Sequence, residues 1–239
     1  LLVWQKGQLR HAAYAPGIGP DTLLNSYSLV KTLVGALILR ARSDGKIGAL
    51  DTTFEALVGP EAPPVTLRDA LTMTTGVSLR KDPPKANEPK PFDDARFSAF
   101  GPVARLHAFG VDRLLPHIDV HPELAGQFRY QSVNTALLGL VLEQAYQQPL
   151  PEILNALIWR PAGAAPARWR RPPGASRVSA YCCLYARAQD WLLVGRFLLN
   201  NGTPEAPFLP VYVCLSWILP KLYTATSLEG HYRLHIPYD

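Results

Sequence analysis

The strongest periodic pattern in the chain lies between positions 29 and 39. Because apolar residues there cover most sides of a helix, we expect this helix to be central and buried. Asn25 or Ser26 would cap its start, and Gly45 would end it. The apolar positions that carry the helical spacing are Leu29, Val30, Leu33, Val34, Ala36, Leu37 and Leu39.

Alternating and turn-forming residues predict a β-hairpin at the start of the chain. Residues 1–4 and 8–13 are short apolar or mixed runs on either side of Lys6-Gly7. Two such runs around a tight glycine-containing turn are typical of a hairpin. Further along, residues 81–94 are rich in Pro and Lys and predict a surface loop.

Four further segments show helical patterns. Thr66 would cap the first of them, with Asp69 completing a variant of the capping box and Gly76 ending the helix. The expected order is therefore a hairpin, a buried helix, a helical middle and an unassigned tail. The other three predicted helices cover about 132–146, 151–159 and 188–200.

Composition narrows the class of protein. Of the 239 residues, 48% are hydrophobic and 18% are charged, which is ordinary for a folded domain. The net charge of +5 is spread along the chain, with its densest cluster at Arg168, Arg170 and Arg171. That cluster predicts a solvated loop or, alternatively, an anion-binding patch. No interleaving of basic and aromatic residues indicates a nucleic-acid-binding module, and no apolar run is long enough for a membrane span.

The three cysteines predict neither a disulfide framework nor a metal site. Cys182 and Cys183 are adjacent and Cys214 stands apart, which gives an odd count with no paired spacing. No Cys-x-x-Cys or His-x-x-x-His spacing is present. We interpret the cysteines as small buried apolar residues.

Candidate chemistry begins with Ser28 and Lys31. Residues three apart lie on the same face of a helix, and a serine hydroxyl needs a base beside it to act as a nucleophile. A lysine amine becomes that base when burial lowers its pKa. The apolar neighbours of Lys31 provide such surroundings, and the helix start favours developing negative charge at Ser28.

A second candidate element is Tyr130-Gln131-Ser132, with Asn134 two positions further on. It lies where a loop enters the third helix. Tyr130 and Ser132 would both face a cleft if the backbone is extended there. A phenol near an ammonium group can transfer a proton. The alternative interpretation is a tyrosine packed at the edge of the core, with Ser132 as a helix cap.

These elements occur in an order that resembles the β-lactamase-related serine hydrolases. The resemblance rests on Ser28-x-x-Lys31, on the stretch from Thr66 to Gly76 and on residues 128–139, and it covers about residues 1–202. The superfamily includes class C β-lactamases, DD-peptidases, family VIII esterases and nylon-oligomer hydrolases. The Tyr-x-Ser form, and residues 182–190 followed by Gly195, look most like the nylon-oligomer branch.

The resemblance implies a fold and a set of roles. The fold would be α/β (α+β) of the β-lactamase/transpeptidase type, with an antiparallel sheet flanked by helices, an all-helical lobe and an incomplete sheet. Ser28 would be acylated, Lys31 and Tyr130 would share the base and acid work, and the Ser28 N–H would form half of an oxyanion hole. Ser132 would orient Lys31 or bind the substrate, and Asn134 would bind the substrate, which would be a small ester, amide or β-lactam.

One element that the resemblance implies is missing from the sequence. No Lys-Thr-Gly or His-Thr-Gly element follows residue 202, and the chain stops at Tyr238-Asp239. Either the chain is a fragment, or the missing part is supplied elsewhere, or the tail has diverged. The alternative function is therefore a catalytically impaired relative that acts as a binding protein.

We assign the whole chain to a single domain. It comprises the hairpin and nucleophile helix at 1–60, a mainly helical lobe at 61–200 and an unassigned tail at 201–239. The chemistry needs no metal or organic cofactor. The sequence does not specify the oligomeric state. It leaves two compartments open, the cytoplasm and the periplasm. His107, His117 and His121 would line a cleft or, more ordinarily, lie on the surface or in the core.

Overall fold

A computed structural model describes residues 1–79 and 101–210. The described helices are α1 (Val30–Ser43), α2 (Phe54–Val58), α3 (Leu67–Thr72), α4 (Pro102–Phe109), α5 (Ser132–Tyr146), α6 (Leu150–Leu154) and α7 (Ala188–Leu199). The described strands are β1 (Leu2–Gln5), β2 (Gln8–Ala12), β3 (Leu24–Asn25), β4 (Val77–Ser78), β5 (Asp119–Val120), β6 (Arg168–Trp169), β7 (Leu184–Ala186), β8 (Gly202–Thr203) and β9 (Ala206–Pro207). The loop predicted at 81–94, the tail beyond residue 210 and Cys214 lie outside these ranges.

Two apolar helices form the centre of the core. The side chains of Val30, Val34 and Leu37 on α1 are completely buried, as the periodic pattern predicts. Helix α1 packs against α5, whose residues from Ser132 to Leu142 are all buried. An apolar surface on most sides of both helices favours a central position, because burying that surface removes it from water.

The start of α1 differs from the prediction. A 3₁₀ turn at Tyr27–Leu29 precedes the helix, and neither Asn25 nor Ser26 caps it with a side chain. The Asn25 Oδ1 instead accepts a hydrogen bond from the Tyr27 N–H at 2.9 Å. The end of the helix is as predicted, since Gly45 follows it with a φ of 70° that suits a residue without a Cβ.

Helix α3 has the predicted start but a different end. The Thr66 Oγ1 accepts a hydrogen bond from the Asp69 N–H at 3.1 Å, which confirms the cap. Met73, in a left-handed conformation with a φ of 60°, ends the helix before Gly76 is reached. Gly76 is needed for another reason, because a Cβ there would lie 2.5 Å from the His121 carbonyl oxygen.

Small antiparallel sheets surround the helices. Strands β1 and β2 form the predicted hairpin, and the order β3-β7-β6 forms a three-stranded sheet with β7 at its centre. Trp4 of β1 lies under the Arg196 guanidinium of α7, with 4.8 Å between the guanidinium carbon and the ring centroid. None of the described helices is long and apolar enough to cross a membrane.

The adjacent cysteines correct the sequence interpretation in one respect. Cys182 and Cys183 are buried, as expected for small apolar residues. They are nevertheless joined to each other by a disulfide bond. The cysteine count and spacing do not indicate this bond, because an odd count with one adjacent pair does not correspond to a disulfide framework.

Candidate active site

The three-stranded sheet places Ser28 at the surface. Strand β3 pairs with β7 and leads directly into the turn that carries Ser28. Just before this turn, the Ser26 N–H donates to the Leu184 carbonyl at 2.9 Å. The Ser26 Oγ accepts from the Leu184 N–H at 3.1 Å. These two bonds fasten the base of the turn to β7, while the Ser28 side chain is exposed.

The backbone of this turn is unusual at Tyr27. Its φ of 44° lies in the left-handed region, which residues with a Cβ rarely adopt. The hydrogen bond from the Tyr27 N–H to Asn25 supports this conformation. Such backbone strain is concentrated at functional sites, where the surrounding contacts keep it in place.

The structure brings Ser28 and Lys31 together. The Lys31 Nζ lies 3.1 Å from the Ser28 Oγ, within hydrogen-bond distance. It also donates to the main-chain carbonyl of Tyr181 at 2.7 Å. The ammonium group is therefore fixed between the hydroxyl group and a carbonyl oxygen from the segment that precedes β7.

Two tyrosine rings flank the lysine. The Lys31 Nζ lies 5.2 Å from the ring centroid of Tyr130 and 5.8 Å from that of Tyr181. Both distances are within the range of cation–π attraction. Tyr130 reaches this position because Gln131 is extended, with φ −127° and ψ 123°, and α5 begins only at Ser132.

Ser132 and Asn134 lie in the first turn of α5 and are buried, with 8% and 1% of their surface exposed. The Asn134 Oδ1 accepts a hydrogen bond from the Thr75 Oγ1 at 2.7 Å. The Asn134 Nδ2 donates to the Met73 Sδ at 3.4 Å. These bonds tie α5 to the residues after α3. Asn134 therefore lies in the interior, where it supports the helix that follows Tyr130, and not at the surface of a cleft.

Two residues beside this group, His107 and Arg170, were named from the sequence but were not predicted to lie together or to belong to this site. The Arg170 Nη1 donates to the Nδ1 of His107, and the Tyr181 hydroxyl lies 3.1 Å from the same nitrogen. No sequence motif marks this contact, because His107 on α4 and Arg170 after β6 are far apart in the chain. The only signal was their type, a histidine in the middle lobe and an arginine in the basic cluster.

Burial and neighbouring charge favour the neutral forms of His107 and Tyr181. The pKa of His107 is lowered by its burial and by the positive charges of Arg170 and Lys31. Burial raises the pKa of Tyr181 to about 12. Because a guanidinium can only donate, the Nδ1 of His107 is an acceptor, which assigns the ring proton to Nε2. This N–H faces the Cys182 Sγ at 4.0 Å.

Within the described ranges, the side chains of His107, Cys182 and Cys183 form one cluster of groups that commonly bind metals. Their donor atoms lie within 4.8 Å of one another. The two sulfurs are bonded to each other, and a metal needs them as thiolates. The Nε2 of His107 also carries the ring proton. In this state the cluster offers no ligand set for a metal.

Comparison with known proteins gives one family and a set of similar folds. The family profile described as Beta-lactamase matches residues 1–198. No curated protein sequence matches the chain. A Bacillus anthracis protein assigned as a 6-aminohexanoate-dimer hydrolase superposes with a TM-score of 0.71 at 20% identity, covering 87% of this chain and 56% of that one.

Two further solved structures are similar. The penicillin-binding protein from Bacillus halodurans has a TM-score of 0.60 at 19% identity, covering 82% of this chain and 64% of that one. The D-stereospecific amidohydrolase from Streptomyces sp. has a TM-score of 0.61 at 19% identity, covering 83% and 66%. The chain thus spans less than two thirds of the length of each of the three proteins. Together these likenesses confirm the predicted fold, mixed α/β with small and incomplete antiparallel sheets.

Proposed function

The chain belongs to the β-lactamase family, and on that premise we propose that it is a serine hydrolase that forms an acyl-enzyme on Ser28. The observation that carries the proposal is the contact between the Ser28 Oγ and the Lys31 Nζ at 3.1 Å. A nucleophile beside a base, with the base oriented by a third group, is the general arrangement for covalent catalysis. Here the third group is the Tyr181 carbonyl.

Lys31 would act as the base in its neutral amine form. One amine N–H stays on the Tyr181 carbonyl, which turns the nitrogen lone pair toward Ser28. The Ser28 O–H then donates to Lys31, and the proton moves to the amine as the serine oxygen attacks the substrate carbonyl carbon. The Ser28 backbone N–H, at the start of the helical segment, would stabilise the oxygen of the tetrahedral intermediate.

Tyr130 would pass a proton to the leaving group. Its ring centroid lies 5.2 Å from the Lys31 Nζ, which supports a proton transfer between the Tyr130 hydroxyl and the Lys31 amine. The leaving amine or alcohol departs protonated, and a water molecule then attacks the acyl-enzyme with the same groups in reverse roles. Asn134 and Ser132 would hold the start of α5, and hence Tyr130, in position.

We propose a small ester, amide or β-lactam as the substrate. Support comes from the names of the fold neighbours, which include an amidohydrolase and a penicillin-binding protein. The exposed position of Ser28 is compatible with all three substrate classes, because each presents a carbonyl carbon to the nucleophile. The reaction follows the same steps in each case and differs in the leaving group.

The test is covalent labelling followed by intact-protein mass measurement. A fluorophosphonate should add once to the protein, and Ser28→Ala should abolish the adduct. Ser176→Ala, which removes an exposed serine elsewhere on the surface, serves as the matched control and should label normally. Lys31→Met and Tyr130→Phe should each slow labelling by about 10²-fold or more, the usual contribution of a general acid or base.

Incubation with a penicillin and with a p-nitrophenyl ester then separates the substrate classes. A penicillin adduct on Ser28 would favour a β-lactam, and ester turnover that Ser28→Ala abolishes would favour an esterase. A folded protein that gives no adduct with any of the three reagents would contradict the proposal. That outcome would favour a binding protein without catalysis.

A further inference from the structure

A four-residue segment fastens both halves of the Ser28–Lys31 pair. Its first residue, Tyr181, accepts the hydrogen bond from the Lys31 Nζ at 2.7 Å. Its last residue, Leu184, exchanges two hydrogen bonds with Ser26, at the base of the turn that carries Ser28. The position of the Lys31 ammonium group beside Ser28 therefore depends on the helical spacing of these two residues and also on the conformation of the two residues between these anchors, Cys182 and Cys183.

The disulfide bond lies between these two anchors. A bond between the Sγ atoms of consecutive residues closes a small ring, which restricts the peptide that the two residues share. Cys183 has a φ of 67°, a conformation that residues with a Cβ rarely adopt. Opening the ring would leave Cys183 free to move toward ordinary backbone angles and would shift the Tyr181 carbonyl relative to Leu184.

The rest of the segment is already held in place by hydrogen bonds. The Cys182 carbonyl accepts from the Trp169 Nε1 at 3.0 Å, and the Cys183 carbonyl accepts from the Arg170 N–H at 3.0 Å. The Tyr181 carbonyl differs from both, because its hydrogen bond is to the end of the long Lys31 side chain, whose four-carbon stem can rotate to another position. A change in the conformation of the disulfide-closed ring would therefore mainly displace the Lys31 ammonium group.

We propose that Cys182 and Cys183 form a redox-controlled positioning element, in which the closed disulfide holds Lys31 against Ser28 through the Tyr181 carbonyl and reduction by a thiol releases it. This inference rests on the proposed function for its effect on activity. The inference makes Cys182 and Cys183 a modification site for cellular or added dithiols. The two cysteines are positioning residues, because they touch neither the substrate nor the reacting atoms.

The groups around Cys182 would stabilise a thiolate that leaves there during thiol–disulfide exchange. A reductant thiolate would attack the Sγ of Cys183, and the Cys182 sulfur would leave as a thiolate. The Nε2–H of His107 faces that sulfur at 4.0 Å, and the positive charge of Arg170 lies behind the ring. The second thiol of the reductant then displaces Cys183, so that two electrons and two protons pass to the pair and the reductant becomes the disulfide.

The experiment compares the oxidised and reduced protein in a Cys214→Ser background, which leaves the pair as the only cysteines. Dithiothreitol reduces the protein, and iodoacetamide with peptide mass analysis confirms the state of both thiols. Two rates are measured in each state. The first is fluorophosphonate labelling of Ser28, and the second is acetylation of Lys31 by N-hydroxysuccinimidyl acetate, which needs no activity at Ser28.

Reduction should slow Ser28 labelling by about tenfold or more, the equivalent of one hydrogen bond to a charged group, and should speed the acetylation of Lys31. The double variant Cys182→Ser with Cys183→Ser should behave like reduced protein and should not respond to dithiothreitol. Cys182→Ser with Cys183→Gly should recover part of the labelling rate, because glycine accepts the left-handed conformation.

Equal rates for both reactions in the two states would overturn the inference and leave the proposed function intact. Free thiols at Cys182 and Cys183 in air-oxidised protein would overturn it as well. If Ser28 is unlabelled in both states, the proposed function fails. The acetylation rate of Lys31 then decides the inference alone, and an unchanged rate would overturn it.

Discussion

Two glycines in two helices provide a direct test of how closely the core is packed behind the site. Gly139 lies in α5, and a Cβ built there would be 2.6 Å from the Cβ of Ala180. Gly195 lies in α7, and a Cβ there would meet nothing within 4 Å. We therefore expect Gly139→Ala and Gly195→Ala, the same chemical change in the same type of structure, to have opposite effects.

The magnitudes follow from the geometry. Carbon atoms in contact are normally about 3.5–4.0 Å apart, so Gly139→Ala must open the structure by roughly 1 Å. Overpacking of this kind costs about 1–3 kcal/mol, against a gain of roughly 1 kcal/mol from alanine in a helix. The net effect is a loss of about 1 kcal/mol. Gly195→Ala keeps the gain alone and should stabilise by about 0.5–1 kcal/mol.

The assay is the free energy of unfolding in urea, with the rate of fluorophosphonate labelling as a second readout. Ala180 directly precedes Tyr181, whose carbonyl holds Lys31. Gly139→Ala should therefore slow labelling in folded protein, and Gly195→Ala should not. If the two variants have the same stability, the close approach of α5 to Ala180 is wrong. If labelling is unaffected by Gly139→Ala, the coupling of this packing to Lys31 is wrong.

Three other predictions test local contacts. Thr66→Ala should lower the free energy of unfolding by about 1 kcal/mol, and by more than Thr53→Ala, since the Thr53 cap contact of 3.4 Å is longer; equal losses would contradict the cap assignment. Asn134→Ala should cost roughly 1–3 kcal/mol, because the buried Thr75 hydroxyl loses the acceptor of its proton and keeps only the bond from the Val77 N–H, and unfolding in urea measures this. Burial raises the pKa of Asp190, but hydrogen bonds, chiefly from Arg187, outweigh it, so the folded-state pKa is lowered. Its stabilisation is therefore present above the unfolded pKa of about 4 and is lost as the pH falls through the folded value. The stability difference between wild type and Asp190→Asn should shrink below about pH 4, and a pH-independent difference would refute the ion pair.

The elements that the sequence predicts well are those whose signals are local. Helix α5 was expected at about 132–146 and spans Ser132–Tyr146, because its apolar pattern and its preceding loop are both contained in a short stretch. The hairpin and the Thr66 cap are similar cases. The cap at Asn25 or Ser26 was wrong, because Ser26 is engaged by Leu184, a residue that no local pattern could link to it.

The sequence by itself determined the pairing of Ser28 with Lys31, since residues three apart on a helix must lie on one face, together with the order of elements that carries the family resemblance. Only the tertiary structure decided what surrounds the pair. The Tyr181 carbonyl, His107, Arg170 and the bonded cysteines come from chain segments far from Ser28, and their contacts depend on how β3 pairs with β7 and how α4 and α5 pack. Spacing along the chain carries no record of contacts made by distant backbone atoms.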